Sequence, residues 1–149
     1  MTHLKAGDQA PNFETIDHNG KKITLNGLKG KKVVLYFYPK DNTPGCTMQA
    51  CNLRDNIELL NKANYTVLGV SNDNQKSHLK FIEKHKLPFD LLMDEDKVIV
   101  NSYGVYGEKK FMGRVYDGIH RITFVIDENG IIEKVIDKVK TKDHYNQIV

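Results

Sequence analysis

The sequence predicts an α/β protein with a mixed β-sheet at its centre. Residues 33–38 form a continuous β-prone run, and residues 65–70 form a second one after an intervening helix. A strand–helix–strand unit of this kind has parallel strands. Residues 121–126 and 131–137 flank the turn at 127–130 and predict an antiparallel hairpin, which makes the sheet mixed.

The helix between the first two strands has clear local signals. Asn42 or Thr43 can cap it, and Pro44 fits its first turn. We expect one helix whose apolar residues recur at helical spacing and form an inner stripe: Cys46, Ala50, Leu53, Ile57 and Leu60. The strand at residues 33–38 lacks polar alternation, which is typical of a strand covered on both faces.

The remaining elements follow from turn signals and periodicity. In chain order we expect a small hairpin at residues 13–16 and 23–25, a helix over about 75–86 capped by residues 71–73, a short strand at 89–93, a helix over 97–103 after the acidic start at 94–96, an irregular segment at 104–118, and a short helix within 141–149. Together these elements form a thioredoxin-like fold, a central mixed sheet flanked by helices, with an N-terminal β-hairpin extension. No linker divides the chain, so we expect a single domain over residues 1–149.

Composition argues against several classes of protein. The formal net charge is +3, and basic residues such as Lys109 and Lys110 are scattered, so we interpret them as solvated and expect no nucleic-acid partner. No window approaches the roughly 18 apolar residues of a membrane span, and no signal-peptide core is present. We therefore predict a cytoplasmic protein without a membrane partner. In a reducing compartment, its two cysteines favour a transient catalytic disulfide over a permanent one.

The two cysteines, Cys46 and Cys51, fall within the first turns of the helix that follows the first central strand. A cysteine with the ordinary pKa near 8.5 is only about 3% thiolate at pH 7. A helix N-terminus favours the anion by only about 0.3–2 kcal/mol, so further stabilisation is needed. We expect it from a hydrogen bond by Thr43 and from the guanidinium of Arg121, which opens an apolar strand where an arginine is otherwise out of place.

The spacing of the cysteines limits how they can pair. Five residues apart on an α-helix, their Cα atoms are separated by about 8.6 Å. A disulfide needs a separation within about 7 Å. Either Cys46 and Cys51 never pair, or the first turns of the helix unwind to let them do so.

Other interpretations of the cysteines stay open on spacing alone. The C-x-x-C redox pattern is absent, and no histidine spacing supplies two further zinc ligands. A cysteine hydrolase needs a positioned histidine, but His120 points to the opposite face of its strand from Arg121. Two inert buried cysteines, in a binding or holdase module, are the remaining alternative.

Two motifs favour one of these interpretations. Residues 37–47, which end in T-P-G-C-T and are followed by Ala50-Cys51, resemble the active-site signature of peroxiredoxins. The form T-P-G-C-T-x-x-A-C is similar to the bacterioferritin comigratory protein, or peroxiredoxin Q, subfamily, whose second motif matches residues 118–127. The resemblance runs from residue 7 onward.

The resemblance implies a monomeric thiol peroxidase of antioxidant defence that reduces hydrogen peroxide and organic hydroperoxides without a metal or other cofactor. It implies that Cys46 is the peroxidatic nucleophile and becomes a sulfenic acid. Cys51 would resolve it as a Cys46–Cys51 disulfide, which thioredoxin or a related dithiol reduces. Thr43 and Arg121 would hold the peroxide oxygens, and Pro39 would shield the thiolate.

The chain departs from the family pattern at two places. Gln49 stands where peroxiredoxins often carry Glu, so we expect it only to support Arg121 through a hydrogen bond. The chain ends at Val149, where relatives usually have a longer C-terminal helix, which leaves the packing of this end open.

Overall fold

The computed structural model describes residues 2–149. Its strands are β1 (Glu14–Ile16), β2 (Lys22–Thr24), β3 (Lys32–Phe37), β4 (Tyr65–Ser71), β5 (Asp90–Met93), β6 (Tyr106–Phe111), β7 (Arg114–Ile119), β8 (Ile122–Ile126) and β9 (Ile132–Ile136). Its α-helices are α1 (Pro44–Asp55), α2 (Ile57–Lys62), α3 (Gln75–His85), α4 (Val98–Ser102) and α5 (His144–Ile148), and a 3₁₀ turn lies at Asn26–Leu28.

The central sheet has the strand order β5-β4-β3-β8-β9. β3 pairs in parallel with β4 and antiparallel with β8, so it is the strand at which the two halves of the sheet meet. This arrangement confirms the predicted mixed sheet. The N-terminal hairpin is also confirmed, as β1 pairs antiparallel with β2.

The sheet separates two apolar cores because successive side chains of a strand point to opposite faces. Val33, Leu35 and Phe37 of β3 belong to the core on the side of α4 and the N-terminal hairpin. Val34 and Tyr36 belong to the other core, which includes residues of α1, α2, α3 and α5. Both faces of β3 are thus covered, as its unbroken apolar run predicts.

The predicted single helix after β3 is wrong, because the structure divides it into α1 and α2 at Asn56. Asn56 leaves helical geometry at φ −113° and ψ 13°. Its side-chain amide donates to the carbonyl of Asn52 over 2.8 Å, an example of how asparagine competes with regular helix bonding. The apolar stripe continues across the break, with Leu53 and Leu60 fully buried.

The segment at residues 104–118 is not irregular as we predicted, because most of it forms the antiparallel hairpin β6–β7. Met112 and Gly113 connect the strands, with φ values of 50° and 79°. Positive φ at both positions of a two-residue loop matches the twist of the flanking strands. The sequence obscures this turn because methionine replaces the Asn or Asp that usually precedes the glycine.

The start of α3 also differs from the prediction. Asn74, rather than a residue within 71–73, caps the helix, and its side-chain oxygen accepts from the Ser77 amide over 2.9 Å. The short C-terminal helix is confirmed as α5. Among the described residues, no helix is both long and apolar enough to cross a membrane.

Two neighbouring leucines of α2 provide a test of this packing. Leu60 is fully buried, whereas 54% of Leu59 is exposed. We expect Leu60→Ala to lower the free energy of unfolding by about 2–5 kcal/mol, because it leaves a cavity in the core. Leu59→Ala is the matched control and should change it by less than about 1 kcal/mol. Urea denaturation measures both, and equal effects would contradict this packing.

Candidate active site

Cys46 lies where β3 leads through a short loop into α1. Thr43 occupies the N-cap position of the helix in an extended conformation, Pro44 begins the first turn, and Cys46 is the third helical residue. Only 1% of Cys46 is exposed. The thiol is therefore close to the positive end of the helix dipole and largely shielded from water.

Arg121 contacts Cys46 directly. Its Nη2 donates to the Cys46 sulfur over 3.3 Å, and its Nη1 donates to Gln49 Oε1 over 2.7 Å. The contact follows from the sheet register, since Phe37 at the end of β3 is paired with Ile122, the residue after Arg121. A side chain at Gly45 would crowd this contact, because a Cβ there would lie 3.1 Å from Arg121 Nη2.

Gln49 is fully buried beside this contact. Its amide oxygen accepts from Arg121, but its Nε2 has no hydrogen-bond partner among the described residues. A buried N–H donor without a partner lowers the free energy of unfolding, so Gln49 carries a cost in stability at this position. The glutamine accepts a hydrogen bond from the guanidinium without placing a negative charge near Cys46.

The structure does not form the hydrogen bond that we predicted from Thr43 to Cys46. The Thr43 hydroxyl donates instead to the carbonyl of Lys40 over 2.8 Å, which closes the loop before α1. The Thr43 side chain does not cap the helix amides either. The hydrogen bond that Cys46 receives in this state comes from Arg121, and its side chain otherwise packs in the apolar core on the side of α1.

Cys51 lies five residues further along the unbroken helix α1 and is half-buried. Both cysteines are free thiols. At this spacing, ideal helix geometry keeps the two Cα atoms about 8.6 Å apart, beyond the reach of a disulfide. In this structure α1 is therefore intact, and it keeps the two thiols apart.

Pro39 lies in the loop before α1, at a cavity of about 290 Å³ between this loop and the β6–β7 hairpin. Lys40 and Asn72 line one side of the cavity, and residues of the hairpin line the other: Tyr106, Lys109, Tyr116, Asp117, Gly118 and Ile119. Sequence analysis missed the contribution of this hairpin, because it assigned no regular structure to the segment.

A buried polar network also holds the loop between β3 and α1. It was not predicted from the sequence. The Asp41 carboxylate accepts from the Tyr38 hydroxyl over 2.6 Å and from the Ser77 hydroxyl over 2.8 Å. His78 Nδ1 lies 2.7 Å from the same carboxylate, and its Nε2 donates to the Leu92 carbonyl over 3.0 Å. The burial of His78 could have been predicted from the sequence. His78 precedes the buried Phe81 by three residues and therefore lies on the same face of the helix.

Two buried tyrosines, Tyr36 of β3 and Tyr38 of the following loop, stay neutral near the site. Burial raises the pKa of Tyr36 well above its usual range, and a negative charge on Cys46 raises it further. Burial also raises the pKa of Tyr38, with a second contribution from the Asp41 carboxylate. Neither phenol competes with Cys46 as a nucleophile at neutral pH.

Two groups of described side chains could offer several atoms to one metal ion: Asp17, His18 and Asp90, and Asp41, Asp73 and His78. In the second group the Asp41 and His78 atoms already bond to each other, and an Asp73 oxygen accepts from the amide of Asp41 over 2.8 Å. Neither group includes Cys46 or Cys51.

The sequence and the fold match known proteins along nearly the whole chain. The model of the AhpC/TSA family matches residues 6–135. Peroxiredoxin Bcp of Escherichia coli (strain K12) is 50% identical, with 100% of this chain and 96% of the relative covered. Peroxiredoxin Bcp of Bacillus subtilis (strain 168) is 45% identical, with 95% and 90% covered.

Solved structures give the same result. A cysteine-to-serine mutant of peroxiredoxin Q from Xylella fastidiosa has a TM-score of 0.92 at 32% identity, with 99% of this chain and 94% of that chain covered. This chain belongs to the AhpC/TSA family and, within it, to the bacterioferritin comigratory protein (peroxiredoxin Q) subfamily of peroxiredoxins. The resemblance and the thioredoxin-like fold that the sequence predicted are thereby confirmed, and the family supports a peroxidase activity.

The role of Gln49 can be tested by removing its hydrogen bond to Arg121. Gln49→Met keeps the size of the side chain but leaves Arg121 Nη1 without this acceptor. We expect Cys46 to react with iodoacetamide about tenfold more slowly at neutral pH, since a hydrogen bond to a charged group contributes about 1.5–3 kcal/mol.

Cys51→Ser is included so that a single thiol is measured, and Gln75→Met at an exposed position of α3 is the control. An unchanged rate in Gln49→Met would show that Arg121 is held in place without Gln49.

Proposed function

We propose that this protein, as a single domain of residues 1–149, is a thioredoxin-dependent thiol peroxidase that reduces hydrogen peroxide and organic hydroperoxides. The observation that carries the proposal is the 3.3 Å contact of Arg121 Nη2 with the Cys46 sulfur at the start of α1. A cation and a helix N-terminus on one buried thiol favour the thiolate, which is the reactive form. A solved structure from Xanthomonas campestris, of a bacterioferritin comigratory protein with alkyl peroxide reduction activity, also supports the proposal: it is 31% identical at a TM-score of 0.86, with 99% of this chain and 94% of that chain covered.

In the first step the Cys46 thiolate attacks one peroxide oxygen. A sulfur–oxygen bond forms, the oxygen–oxygen bond breaks, and the leaving oxygen takes a proton to become water or an alcohol. Cys46 is oxidised to a sulfenic acid, and the peroxide is reduced by two electrons. Arg121 faces the sulfur, so its guanidinium is placed to stabilise negative charge that moves to the leaving oxygen.

Thr43 and Pro39 have supporting roles in this step. The Thr43 hydroxyl lies in the loop that closes over the start of α1, and its oxygen remains able to accept a hydrogen bond from a bound peroxide. Pro39 lacks an amide hydrogen and shields the thiolate from water on the side of the cavity. Gln49 supports this step indirectly, through its hydrogen bond to Arg121.

In the second step the Cys51 thiol attacks the sulfur of the sulfenic acid. The Cys46–Cys51 disulfide forms and water leaves. Because the intact helix holds the two residues too far apart, the first turns of α1 unwind before this step. The disulfide is then reduced by exchange with a dithiol such as thioredoxin, which restores both thiols. We propose that the protein acts as a monomer in the cytoplasm, where such reductants are present.

The two cysteines have separable roles that substitution can distinguish. Cys46→Ser should abolish peroxide consumption in an assay with thioredoxin, thioredoxin reductase and NADPH, because no nucleophile remains. Cys51→Ser should consume about one equivalent of peroxide and then stop, because the sulfenic acid has no resolving thiol. Dimedone trapping followed by mass spectrometry locates the sulfenic acid. Full turnover of Cys46→Ser would refute the proposed function.

The unwinding of α1 predicts a change in amide exchange on oxidation. We expect the amides of residues 45–53 to exchange with solvent faster in the disulfide form than in the dithiol form, since their helical hydrogen bonds are lost. The amides of α3 are the internal control and should keep their protection. Unchanged protection of residues 45–53 would show that the disulfide, if formed, does not require this unwinding.

A further inference from the structure

The strand β6 holds the short segment that precedes Arg121. The His120 amide donates to the carbonyl of Val105 over 2.7 Å, and His120 Nε2 lies 3.0 Å from the carbonyl oxygen of Glu108. Lys109 Nζ donates to the carbonyl of Ile119 over 2.8 Å. Two contacts from β6 and one from Val105, the residue just before it, therefore fix the chain within two residues of Arg121, although β6 lies outside the central sheet.

Lys109 differs from the lysine beside it. Lys109 is half-buried, whereas Lys110 is exposed, so our interpretation of both as solvated is wrong for Lys109. Its stem runs close over the backbone of Gly118, where a Cβ would lie 3.2 Å from Lys109 Cδ. The ammonium group has three N–H donors, and the bond to Ile119 is the one formed within the described part of the chain. Lys109 also lines the cavity at which Pro39 lies.

The surroundings of Lys109 act on its ammonium group in opposite directions. Burial lowers the pKa of Lys109, and the neighbouring Arg121 lowers it further, whereas a negative charge on Cys46 raises it. Two cations beside each other in a partly buried place are unfavourable unless an anion compensates them. The groups that can compensate them are Asp117, which lines the same cavity, and the Cys46 sulfur when it is ionised. The other ionisable side chains at the cavity are Lys40, Tyr106 and Tyr116.

We propose that Lys109 is a positioning residue of the Cys46 site: through the Ile119 carbonyl it holds the segment that carries Arg121, and its charge favours the thiolate. The proposal rests on the proposed function only in taking Cys46 as the nucleophile. It assigns part of the site to the β6–β7 hairpin, which lies outside the thioredoxin-like core. Lys109 itself does not touch the sulfur and acts through Arg121 and through its charge.

The test compares Lys109→Met, Lys109→Arg and Lys110→Met, each combined with Cys51→Ser so that Cys46 is the only thiol. The first measurement is the rate of alkylation by iodoacetamide as a function of pH. The second is the rate of a single turnover with hydrogen peroxide at neutral pH, followed by dimedone trapping and mass spectrometry.

We expect the alkylation profile of Lys109→Met to move to higher pH, because a charge that favours the thiolate has been removed. The peroxide rate should fall roughly three- to tenfold. Lys109→Arg should recover most of both properties, because it keeps the charge and a donor for Ile119. Lys110→Met should match the parent protein.

An unchanged profile and rate in Lys109→Met, or equal changes in Lys109→Met and Lys110→Met, would overturn the proposal. A merely structural role would lower the melting temperature without moving the alkylation profile, and this outcome would also overturn it. If Lys109→Met does not fold, Lys109→Gln is measured in the same way. Failure of the proposed function itself would look different, since the parent protein would then be alkylated at Cys46 but would not react with peroxide.

Discussion

The close approach of Arg121 to Cys46 depends on most of the fold. The thiol lies at the start of a helix that leaves the carboxyl end of β3, and the guanidinium comes from the chain that enters β8. The thiol and the guanidinium come together because β8 runs antiparallel to β3 and Ile122, the first residue of β8, pairs with Phe37. Gly45 leaves room for the contact, and Gln49 orients the guanidinium. Each of these features alone is ordinary, but together they place a cation on a buried sulfur.

The proposed mechanism places two opposing requirements on helix α1. Its first turn must be folded for the dipole and Arg121 to act on Cys46, yet it must open for Cys51 to reach the same sulfur. The C-terminal segment limits how far the helix can open, because the Asn52 amide donates to the Lys142 carbonyl over 3.0 Å and its oxygen accepts from the Tyr145 amide over 2.8 Å. These bonds hold the helix just beyond Cys51, so the unwinding that we propose would be confined to the turns before them.

The accuracy of the sequence predictions follows the kind of signal available. The strands of the central sheet were predictable because unbroken apolar runs mark strands covered on both faces. The break at Asn56 was not, because the apolar stripe of α1 continues into α2 and hides it. The β6–β7 hairpin was missed because its strands are largely polar and its turn uses Met112 at positive φ. The partial burial of Lys109 was missed together with the hairpin, since it is the alternation along a strand that turns Lys109 and Lys110 to opposite faces.

The sequence by itself determined the fold class, the position of Cys46 at a helix start and the distance that separates it from Cys51. These depend on local periodicity and spacing, which can be read directly from the order of residues. Only the tertiary structure decided that Arg121 donates to the Cys46 sulfur, that Thr43 donates to Lys40 and that Lys109 lies beside the site. Such contacts join segments far apart in the chain. Their distances depend on strand register and on which of several possible hydrogen-bond partners each group takes. Neither can be predicted from a local sequence pattern.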